Sequence, residues 1–405
     1  MKKFNKFLSV AVASAMVMAM VGCGNTDNGS AATGTNAATE SAAASDSAAS
    51  GSVFKIGGIG PTTGGAAVYG LAVQHGAEIA VEEINAAGGI NGYQVEFKFQ
   101  DDEADAEKSV NAYNALKDWG AQIIDGSTTS GACIAVTDKT KEDNMFQITP
   151  SGSAVECVQY DNNFRVCFSD PNQGLASAQY IGENGLAEKI AVIYDSSDVY
   201  SSGIYEKFVK EAENQPFEVV AAEAFTADNK TDFSVQLQKA KDAGADMVFL
   251  PIYYQESALI LTQAAAMGYA PKWFSCDGMD GILGGVDNFD VSLTEGVMLL
   301  TPFAADATDD LTQSFVTKYK EKYGDTPNQF AADSYDAIYV IKAAIEKSGV
   351  TPDMSVSDIC DGMKAAMTEI TVDGLTGNGM TWTADGEANK APKAVVIENG
   401  AYKAM

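Results

Sequence analysis

Short apolar strands and helices alternate along this chain, and the alternation occurs in two sets. The first set begins with a predicted strand at residues 54–59 and a helix at residues 71–87, and it ends with a strand at residues 122–125. The second set runs from a strand at residues 189–194 to one at residues 273–274. Such alternation builds parallel sheets covered by helices on both faces. The sequence therefore predicts an α/β protein with two doubly wound, Rossmann-like domains.

The N-terminal residues predict the cellular location of the rest of the chain. Lys2, Lys3 and Lys6 precede an apolar run at residues 7–21, which is followed by a glycine and Cys23. A basic start, an apolar core of this length and a small residue at the cut site are typical of a secretory signal peptide. A cysteine directly after that small residue resembles a bacterial lipobox, and the resemblance implies a lipid on Cys23. An ordinary signal peptide (residues 1–22) with an incidental cysteine is the alternative.

Residues 24–52 predict a flexible tether. They contain only Gly, Asn, Thr, Asp, Ser, Ala and Glu, and thus too little apolar surface to offset the entropy of ordering. No later stretch has the roughly 18 unbroken apolar residues that a membrane span needs. We therefore expect a soluble body, held by its lipid at the extracytoplasmic face of the cell membrane.

The balance of charges excludes several kinds of function. The formal net charge is −29, and loss of three signal-peptide lysines leaves 23 bases against 55 acids, which is −32. A protein with so large a negative charge repels the phosphate backbones of nucleic acids. Arg165 is the single arginine and His75 the single histidine. Catalytic Ser-His-Asp or Cys-His groups, multi-histidine metal sites and arginine clusters are therefore disfavoured, and we expect no enzyme, no cofactor and no metal.

A glycine-rich loop follows the first predicted strand, but it does not fit a dinucleotide site. In the pattern Gly58-x-Gly60-x-x-x-Gly64 the spacing is one residue too long and Pro61 interrupts it. No acid lies about 20 residues further on to hold a ribose. A nicotinamide enzyme is therefore disfavoured.

Five cysteines lie in the body of the chain. Cys157 and Cys167 flank a turn-forming sequence at residues 160–163. A hairpin there would bring their Cα atoms within disulfide range in an oxidising exterior. We predict that these two pair, with a stabilisation of roughly 2–3 kcal/mol. The other three have no evident partner and are expected to be buried: Cys133, Cys276 and Cys360.

Motifs spread over residues 53–403 carry a family resemblance. The more specific ones are DDEAD at residues 101–105, after INGYQVEFKFQ, and FAADSYDA at residues 330–337. The others are GPTTGGAAVYG, ITPSGS, FRVCFSDPNQG, YDSSDVYSSG, ADMVFLPIYYQES and SCDG. Together they resemble the leucine/isoleucine/valine-binding family of ABC-transporter substrate-binding proteins, which have the type I periplasmic-binding fold.

The resemblance implies two lobes that close on a free amino acid, branched-chain or otherwise hydrophobic, and hand it to an ABC permease. Lobe 1 would comprise residues 53–169 and 302–390, and lobe 2 residues 170–301 and 391–405, with the crossovers as a hinge. We expect a monomer. A ligand sensor on the same fold, which signals to a membrane partner, remains an alternative that a neighbouring permease gene would decide.

The resemblance also implies the roles of individual residues. The hydroxyl and amide of Ser130 would hold the ligand carboxylate. At Ser151 and Ser153 a main-chain carbonyl would meet the ammonium group and a hydroxyl would contact both ends of the ligand, and Asp277 in SCDG would hold the ammonium group. Three tyrosines fall on the pocket tyrosines of the family. The predicted ligand-binding residues are Tyr69, Ser130, Ser151, Ser153, Tyr200, Tyr253 and Asp277. The alternatives are a helix cap at Ser130, a turn at Asp277 and simple packing of any one tyrosine.

The same chemistry follows without the family. A zwitterion taken out of water needs both charges matched, or its desolvation costs several kcal/mol. With one arginine in the chain, amides at a helix N-terminus together with hydroxyls are the natural carboxylate site, and Ser130 stands ahead of a helical stretch. Side-chain specificity would depend on residues such as Thr128, Tyr254 and Phe330.

Overall fold

The computed structural model describes residues 51–405, so the predicted signal peptide, Cys23 and nearly all of the tether lie outside the described residues. One β-sheet is formed by strands that lie within residues 54–165. Its strands are β1 (Phe54–Gly60), β2 (Val95–Asp101), β3 (Ile123–Gly126), β4 (Phe146–Thr149) and β5 (Asn163–Arg165). They are all parallel and lie in the order β2-β1-β3-β4-β5.

A second sheet follows and also contains the C-terminal strands. Its strands are β6 (Lys189–Asp195), β7 (Glu218–Phe225), β8 (Met247–Leu250), β9 (Lys272–Ser275), β10 (Met298–Thr301), β11 (Lys393–Glu398) and β12 (Ala401–Ala404). The order is β12-β11-β10-β9-β8-β6-β7. Strands β6 to β10 pair in parallel, and β11 and β12 add an antiparallel edge.

Helices occupy both faces of each sheet. The first seven are α1 (Ala67–Ala86), α2 (Ala106–Trp119), α3 (Ser130–Asp143), α4 (Asp170–Glu183), α5 (Val199–Ala212), α6 (Ser234–Asp242) and α7 (Tyr254–Ala266). Three more follow β10: α8 (Asp310–Tyr323), α9 (Gln329–Ser348) and α10 (Val356–Met367). The described residues contain no helix that is both long enough and apolar enough to cross a membrane.

Neighbouring residues of one strand show that the first sheet is covered on both sides. Ile123 packs in the core that α1 and α9 share, whereas Ile124 packs against α2 and α3. Successive side chains of a strand point to opposite faces. In the second sheet Ile193 packs toward α6 and α7, and Val192 toward α4 and α5. Both sheets are therefore doubly wound, and the predicted fold class is confirmed.

The chain passes between the two sheets three times, at residues 166–169, 302–309 and 368–392. After β10, helices α8 to α10 return to the first sheet, and α9 packs along α1. The last crossing leads into β11 of the second sheet.

The apolar pattern predicts a helix over residues 203–213, whereas α5 begins four residues earlier, at Val199. The carboxylate of Asp198 caps it by accepting a hydrogen bond from the N–H of Tyr200, at 3.1 Å. An aspartate at this position satisfies a backbone donor that the helix leaves open. Tyr200 consequently lies in the first turn of α5 and is buried.

Candidate ligand-binding site

A small cavity lies where the loops after the strands of the two sheets meet. The contributing loops follow β3 and β4 in the first sheet and β6, β8 and β9 in the second. Ligands of doubly wound folds bind beyond these carboxyl ends. The cavity is lined by Tyr69, Thr128, Thr129, Ser130, Ser151, Ser153, Tyr200, Tyr253, Asp277, Gly278 and Phe330. The seven residues predicted from the sequence are all among them.

Ser130 joins the start of α3 to the loop after β4. It is the first residue of α3, and the N-cap is Thr129. Its Oγ atom accepts hydrogen bonds from the N–H groups of Ser153 and Ala154, both at 3.1 Å, and lies 3.4 Å from the Oγ atom of Ser153. A hydroxyl oxygen has two acceptor lone pairs and one proton. With both lone pairs used by the backbone, the proton of Ser130 is left to donate.

The same corner of the cavity suits an anion. The Oγ1 atom of Thr129 is buried without a hydrogen-bond partner among the described residues. Ser151 donates its hydroxyl hydrogen to the carbonyl of Thr128, at 2.7 Å, which holds the loop after β4 against the start of α3. Open N–H groups and the positive end of the helix dipole favour negative charge at a helix N-terminus. These groups together could hold a carboxylate.

Asp277 supplies the negative charge of the cavity wall. It lies two residues after β9 and accepts hydrogen bonds from the hydroxyl of Tyr200, at 2.7 Å, and from Nε2 of Gln173, at 3.0 Å. Burial raises the pKa of its carboxyl group to about 6, and the two side-chain hydrogen bonds oppose that rise. Above pH 6 the carboxylate is mostly ionised and suited to an ammonium group.

Tyrosine hydroxyls hold Gly278 from two sides. The N–H of Gly278 donates to the hydroxyl oxygen of Tyr200, at 2.9 Å, and its carbonyl accepts from the hydroxyl of Tyr69. A Cβ atom at Gly278 would lie 2.6 Å from the hydroxyl oxygen of Tyr200, so this approach requires glycine. The N–H of Tyr254 also donates to the hydroxyl of Tyr69, at 3.2 Å. Since Tyr69 is on α1, these bonds join a helix of the first sheet to loops of the second.

Aromatic rings fill the centre of the cavity. The centroid of the Tyr69 ring lies 4.3 Å from the ring centroid of Phe330, and 5.5 Å and 5.2 Å from those of Tyr253 and Tyr254. Tyr253 in turn stacks on Tyr200 at 5.1 Å. The space left for a water-sized occupant is about 10 Å³, which is roughly one water molecule. An amino acid therefore enters only when the rings, or the two sheets with their helices, move apart.

A larger groove of about 390 Å³ lies beside this cavity, between the 3₁₀ helix Val155–Val158 and the starts of α4 and α5. Asp170 is buried there, and neither of its carboxylate oxygens has a hydrogen-bond partner among the described residues. Burial raises the pKa of Asp170 well above its usual value. The groove is lined by exposed charged residues, Glu156, Glu206 and Lys210, so the smaller cavity is the better candidate site.

Sequence reasoning missed two polar residues near Asp277 and Ser130. Thr129 belongs to the run of hydroxyl residues Ser127–Ser130, and only its place in that run could have indicated that it lines the cavity. Gln173 touches Asp277 although 104 residues separate them. No local pattern marks such a contact, because Gln173 lies in α4 and reaches the loop after β9 only in the folded chain.

The predicted disulfide between Cys157 and Cys167 is wrong for this structure. All five cysteines of residues 51–405 are free and buried. Cys157 lies in the 3₁₀ helix Val155–Val158 and not in a strand, so residues 160–163 do not close a hairpin. Its Sγ atom instead lies 3.7 Å from the carbonyl oxygen of Ser130 and packs with Cys133.

Comparisons with known proteins agree with this architecture. A family model described as periplasmic binding protein matches residues 53–401. The leucine-, isoleucine-, valine-, threonine- and alanine-binding protein of Pseudomonas aeruginosa is 31% identical over 302 residues, which is 73% of this chain and 78% of the relative. Leu/Ile/Val-binding protein homolog 3 of Brucella melitensis is 31% identical over 74% of this chain and 80% of the relative.

Solved structures show the same fold. The branched-chain amino acid transporter substrate-binding protein LivJ of Streptococcus pneumoniae, in complex with isoleucine, has a TM-score of 0.78 and 28% identity, covering 87% of this chain and 99% of that one. The leucine-binding protein LivK of Thermotoga maritima has a TM-score of 0.77 and 28% identity, covering 87% and 98%. Members of this family are solute-binding proteins and not enzymes, which confirms the prediction of a non-catalytic protein. The chain belongs to the periplasmic binding protein family, among relatives named for leucine, isoleucine and valine.

Proposed function

We propose that the protein captures a free amino acid, branched-chain or otherwise hydrophobic, and delivers it to the permease of an ABC importer. One observation carries the proposal: a single cavity combines hydroxyls at a helix N-terminus, one buried carboxylate and a set of aromatic rings. A zwitterion with an apolar side chain needs these three features together, because each charge must find an opposite partner when water is removed. The names of the relatives support the same ligand class.

The ligand carboxylate is assigned to the hydroxyls of Ser130 and Ser153, and the ammonium group to Asp277 and to the main-chain carbonyl of Ser151, whose hydroxyl hydrogen is already donated to Thr128. Tyr69, Tyr200 and Tyr253 would then cover the apolar part of the ligand, since aromatic rings contribute large contact areas while their hydroxyls stay hydrogen-bonded. Ser130 has its hydroxyl hydrogen left to donate, which supports an anionic group of the ligand at that position. The carboxylate of Asp277, beside Tyr200, supports a cationic group there.

Capture requires that the molecule open and close. We assign residues 53–169 and 302–390 to lobe 1 and residues 170–301 and 391–405 to lobe 2, with the three crossings as the hinge. The contacts of Tyr69 with Gly278 and Tyr254 are of the kind that only a closed state makes. A ligand shifts the equilibrium toward closure only through contacts that the open state lacks. Small-angle scattering with and without ligand should show a smaller radius of gyration at saturation.

Membership of the family is consistent with an extracytoplasmic location of the protein. We further propose that Cys23 carries a lipid and that residues 24–52 are the tether between membrane and body, in a monomeric protein. Mass spectrometry of the membrane-extracted protein tests this: a diacylglyceryl mass on an N-terminal peptide that begins at Cys23 is expected. A peptide that begins elsewhere, or an unmodified Cys23, would contradict the anchor.

A thermal-shift screen of residues 24–405 against the twenty amino acids, sugars and purines tests the function. Because a ligand that binds only the folded state stabilises it, a hundredfold excess over Kd adds about 2.7 kcal/mol. We expect shifts with leucine, isoleucine or valine. Shifts only with a sugar or purine would keep the fold and overturn the assignments at Ser130 and Asp277.

A further inference from the structure

The single arginine of the chain lies behind the wall of the cavity and not inside it. Arg165 is the last residue of β5, and its side chain is 0% exposed. Its guanidinium group donates hydrogen bonds to four consecutive carbonyl groups, those of Gly152 (3.2 Å), Ser153, Ala154 (2.8 Å) and Val155 (3.5 Å). These carbonyls belong to the loop after β4, which also carries Ser151 and Ser153.

Two peptide groups of this loop connect Arg165 to Ser130, and we call them the peptide bridge. The first joins Gly152 to Ser153, and the second joins Ser153 to Ala154. Each presents its carbonyl oxygen to the guanidinium group and its N–H to the Oγ atom of Ser130, at 3.1 Å. A peptide group is a dipole whose positive end is the N–H. Both dipoles therefore run from Arg165 toward Ser130.

The orientation of the peptide bridge matters for the proton of Ser130. Chains of hydrogen bonds polarise one another in a low-dielectric interior. A positive charge on the carbonyl ends strengthens the N–H donors, and an oxygen that accepts two such bonds becomes a better O–H donor. The effect of the arginine charge thus reaches the cavity wall without a guanidinium group inside the cavity.

Arg165 is also held from its other side. Its backbone N–H donates to the carbonyl of Gly386, at 3.1 Å, and its carbonyl accepts from Nε1 of Trp382, at 2.8 Å. Its Nε atom lies 3.4 Å from a carboxylate oxygen of Glu387. These contacts come from the last crossing between the sheets, and they keep the guanidinium group at a constant position against the loop.

We propose that Arg165 is a positioning residue that, through the peptide bridge, polarises the Ser130 hydroxyl as a donor to the ligand carboxylate. The inference rests on the proposed function, because it needs a ligand with a carboxylate at Ser130. A purely structural role would be to fix the loop by satisfying its carbonyls. That role would affect all ligands alike, whereas polarisation acts through Ser130 and on negative charge.

Calorimetric titration of residues 24–405 with L-leucine and L-leucinamide separates the two roles. We expect Arg165→Gln, which removes the positive charge, and Ser130→Ala each to weaken leucine binding, by roughly tenfold to hundredfold, and leucinamide binding by less than about threefold. The double variant should bind leucine about as well as Ser130→Ala alone, because both substitutions interrupt one connection. Tyr113→Phe, which removes a buried hydroxyl that donates to Asp143 at the opposite end of α3 from Ser130, is the control and should bind leucine normally.

Three results would overturn the inference. These are unchanged leucine affinity in a folded Arg165→Gln protein, equal losses for leucine and leucinamide, and losses that multiply in the double variant. If Arg165→Gln does not fold, Ser130→Ala still tests the inference, because this variant must lose most of the preference for leucine over leucinamide. Failure of the wild-type protein to bind leucine would instead contradict the proposed ligand, and the inference would fall with it.

Discussion

The hydroxyl group of Tyr200 donates a hydrogen bond of 2.7 Å to the carboxylate of Asp277. Tyr200 comes from the first turn of α5, which follows β6, and Asp277 from the loop after β9, so two strands of the second sheet that β8 separates contribute to one contact. Asp277 is the one acid among the residues that line the cavity in the described chain. Its protonation state therefore sets the charge that a ligand meets there.

Asp277→Asn should abolish most amino-acid binding without unfolding the protein. Loss of one partner of a buried ion pair costs several kcal/mol, so calorimetry should show affinity reduced by roughly a hundredfold or more. The asparagine keeps the shape of the side chain and an acceptor for the Tyr200 hydroxyl, so the melting temperature should not fall.

Asp280→Asn is the matched control for that substitution. Asp280 is a buried acid three residues further on, and burial likewise raises its pKa to about 6. Its carboxylate accepts a hydrogen bond from the N–H of Gln329 and does not line the cavity. Affinity for the amino acid should stay close to that of the wild type. Unchanged binding by Asp277→Asn would contradict the ammonium assignment.

Amino-acid affinity should fall as the solution is acidified through pH 6. Burial raises the pKa of Asp277 to about 6 in the ligand-free protein. An ammonium group favours the ionised carboxylate, so below pH 6 binding must also release a proton, and affinity should drop about tenfold per pH unit. Titrations at pH 8, 7, 6 and 5 check this. A constant affinity from pH 8 to pH 5 would mean that Asp277 does not pair with the ligand.

The ligand-free protein should become more stable as the pH falls from 8 toward 5. Burial raises the pKa values of Asp102 and Asp125 to about 7 and that of Asp280 to about 6. In that window the folded state binds more protons than the unfolded state, whose carboxyl groups titrate near pH 4, so the free energy of unfolding rises on acidification.

Acids such as Asp143 and Asp161, whose pKa values are lowered, act in the opposite direction only below about pH 4. Calorimetric melting at pH 8, 6.5 and 5 measures the net slope, and Asp125→Asn should flatten it. A melting temperature that falls steadily from pH 8 to pH 5 would contradict the neutral state of these buried acids.

Tyr69→Phe should weaken amino-acid binding by about fivefold to tenfold, the effect of one or two hydrogen bonds. The substitution removes the hydroxyl that contacts Gly278 and Tyr254 across the cavity but keeps the ring against Phe330. The loss should show as faster ligand release in stopped-flow fluorescence, because these bonds form on closure.

Tyr113→Phe provides the comparison for Tyr69→Phe. It removes another buried hydroxyl, which donates to Asp143 at 2.7 Å between α2 and α3. That contact lies within the first sheet's own helices and does not cross the cavity. Release rates of this variant should match the wild type, and equal effects of the two substitutions would argue against a closing contact at Tyr69.

Predictions from local sequence patterns succeeded for the positions of helices and strands and failed for side-chain pairings. The period of apolar residues located α1 and β6 to within a few residues, because that period reflects which face of each element is buried. The start of α5 was missed, since it depends on one capping side chain, Asp198. The disulfide prediction assumed that Cys157 lies in a strand, whereas the chain forms a 3₁₀ helix there.

The amino-acid sequence was sufficient for the two alternating sets, the hydroxyl run at Ser127–Ser130 and the position of Asp277 after a strand, because these features arise between residues close in the chain. Only the tertiary structure decided that Gln173 meets Asp277 across 104 residues and that Tyr69 meets Gly278 across 209. It also decided that Arg165 stands behind the cavity wall and not in it. Such contacts depend on how the two sheets face each other, and no local period of apolar residues encodes that arrangement.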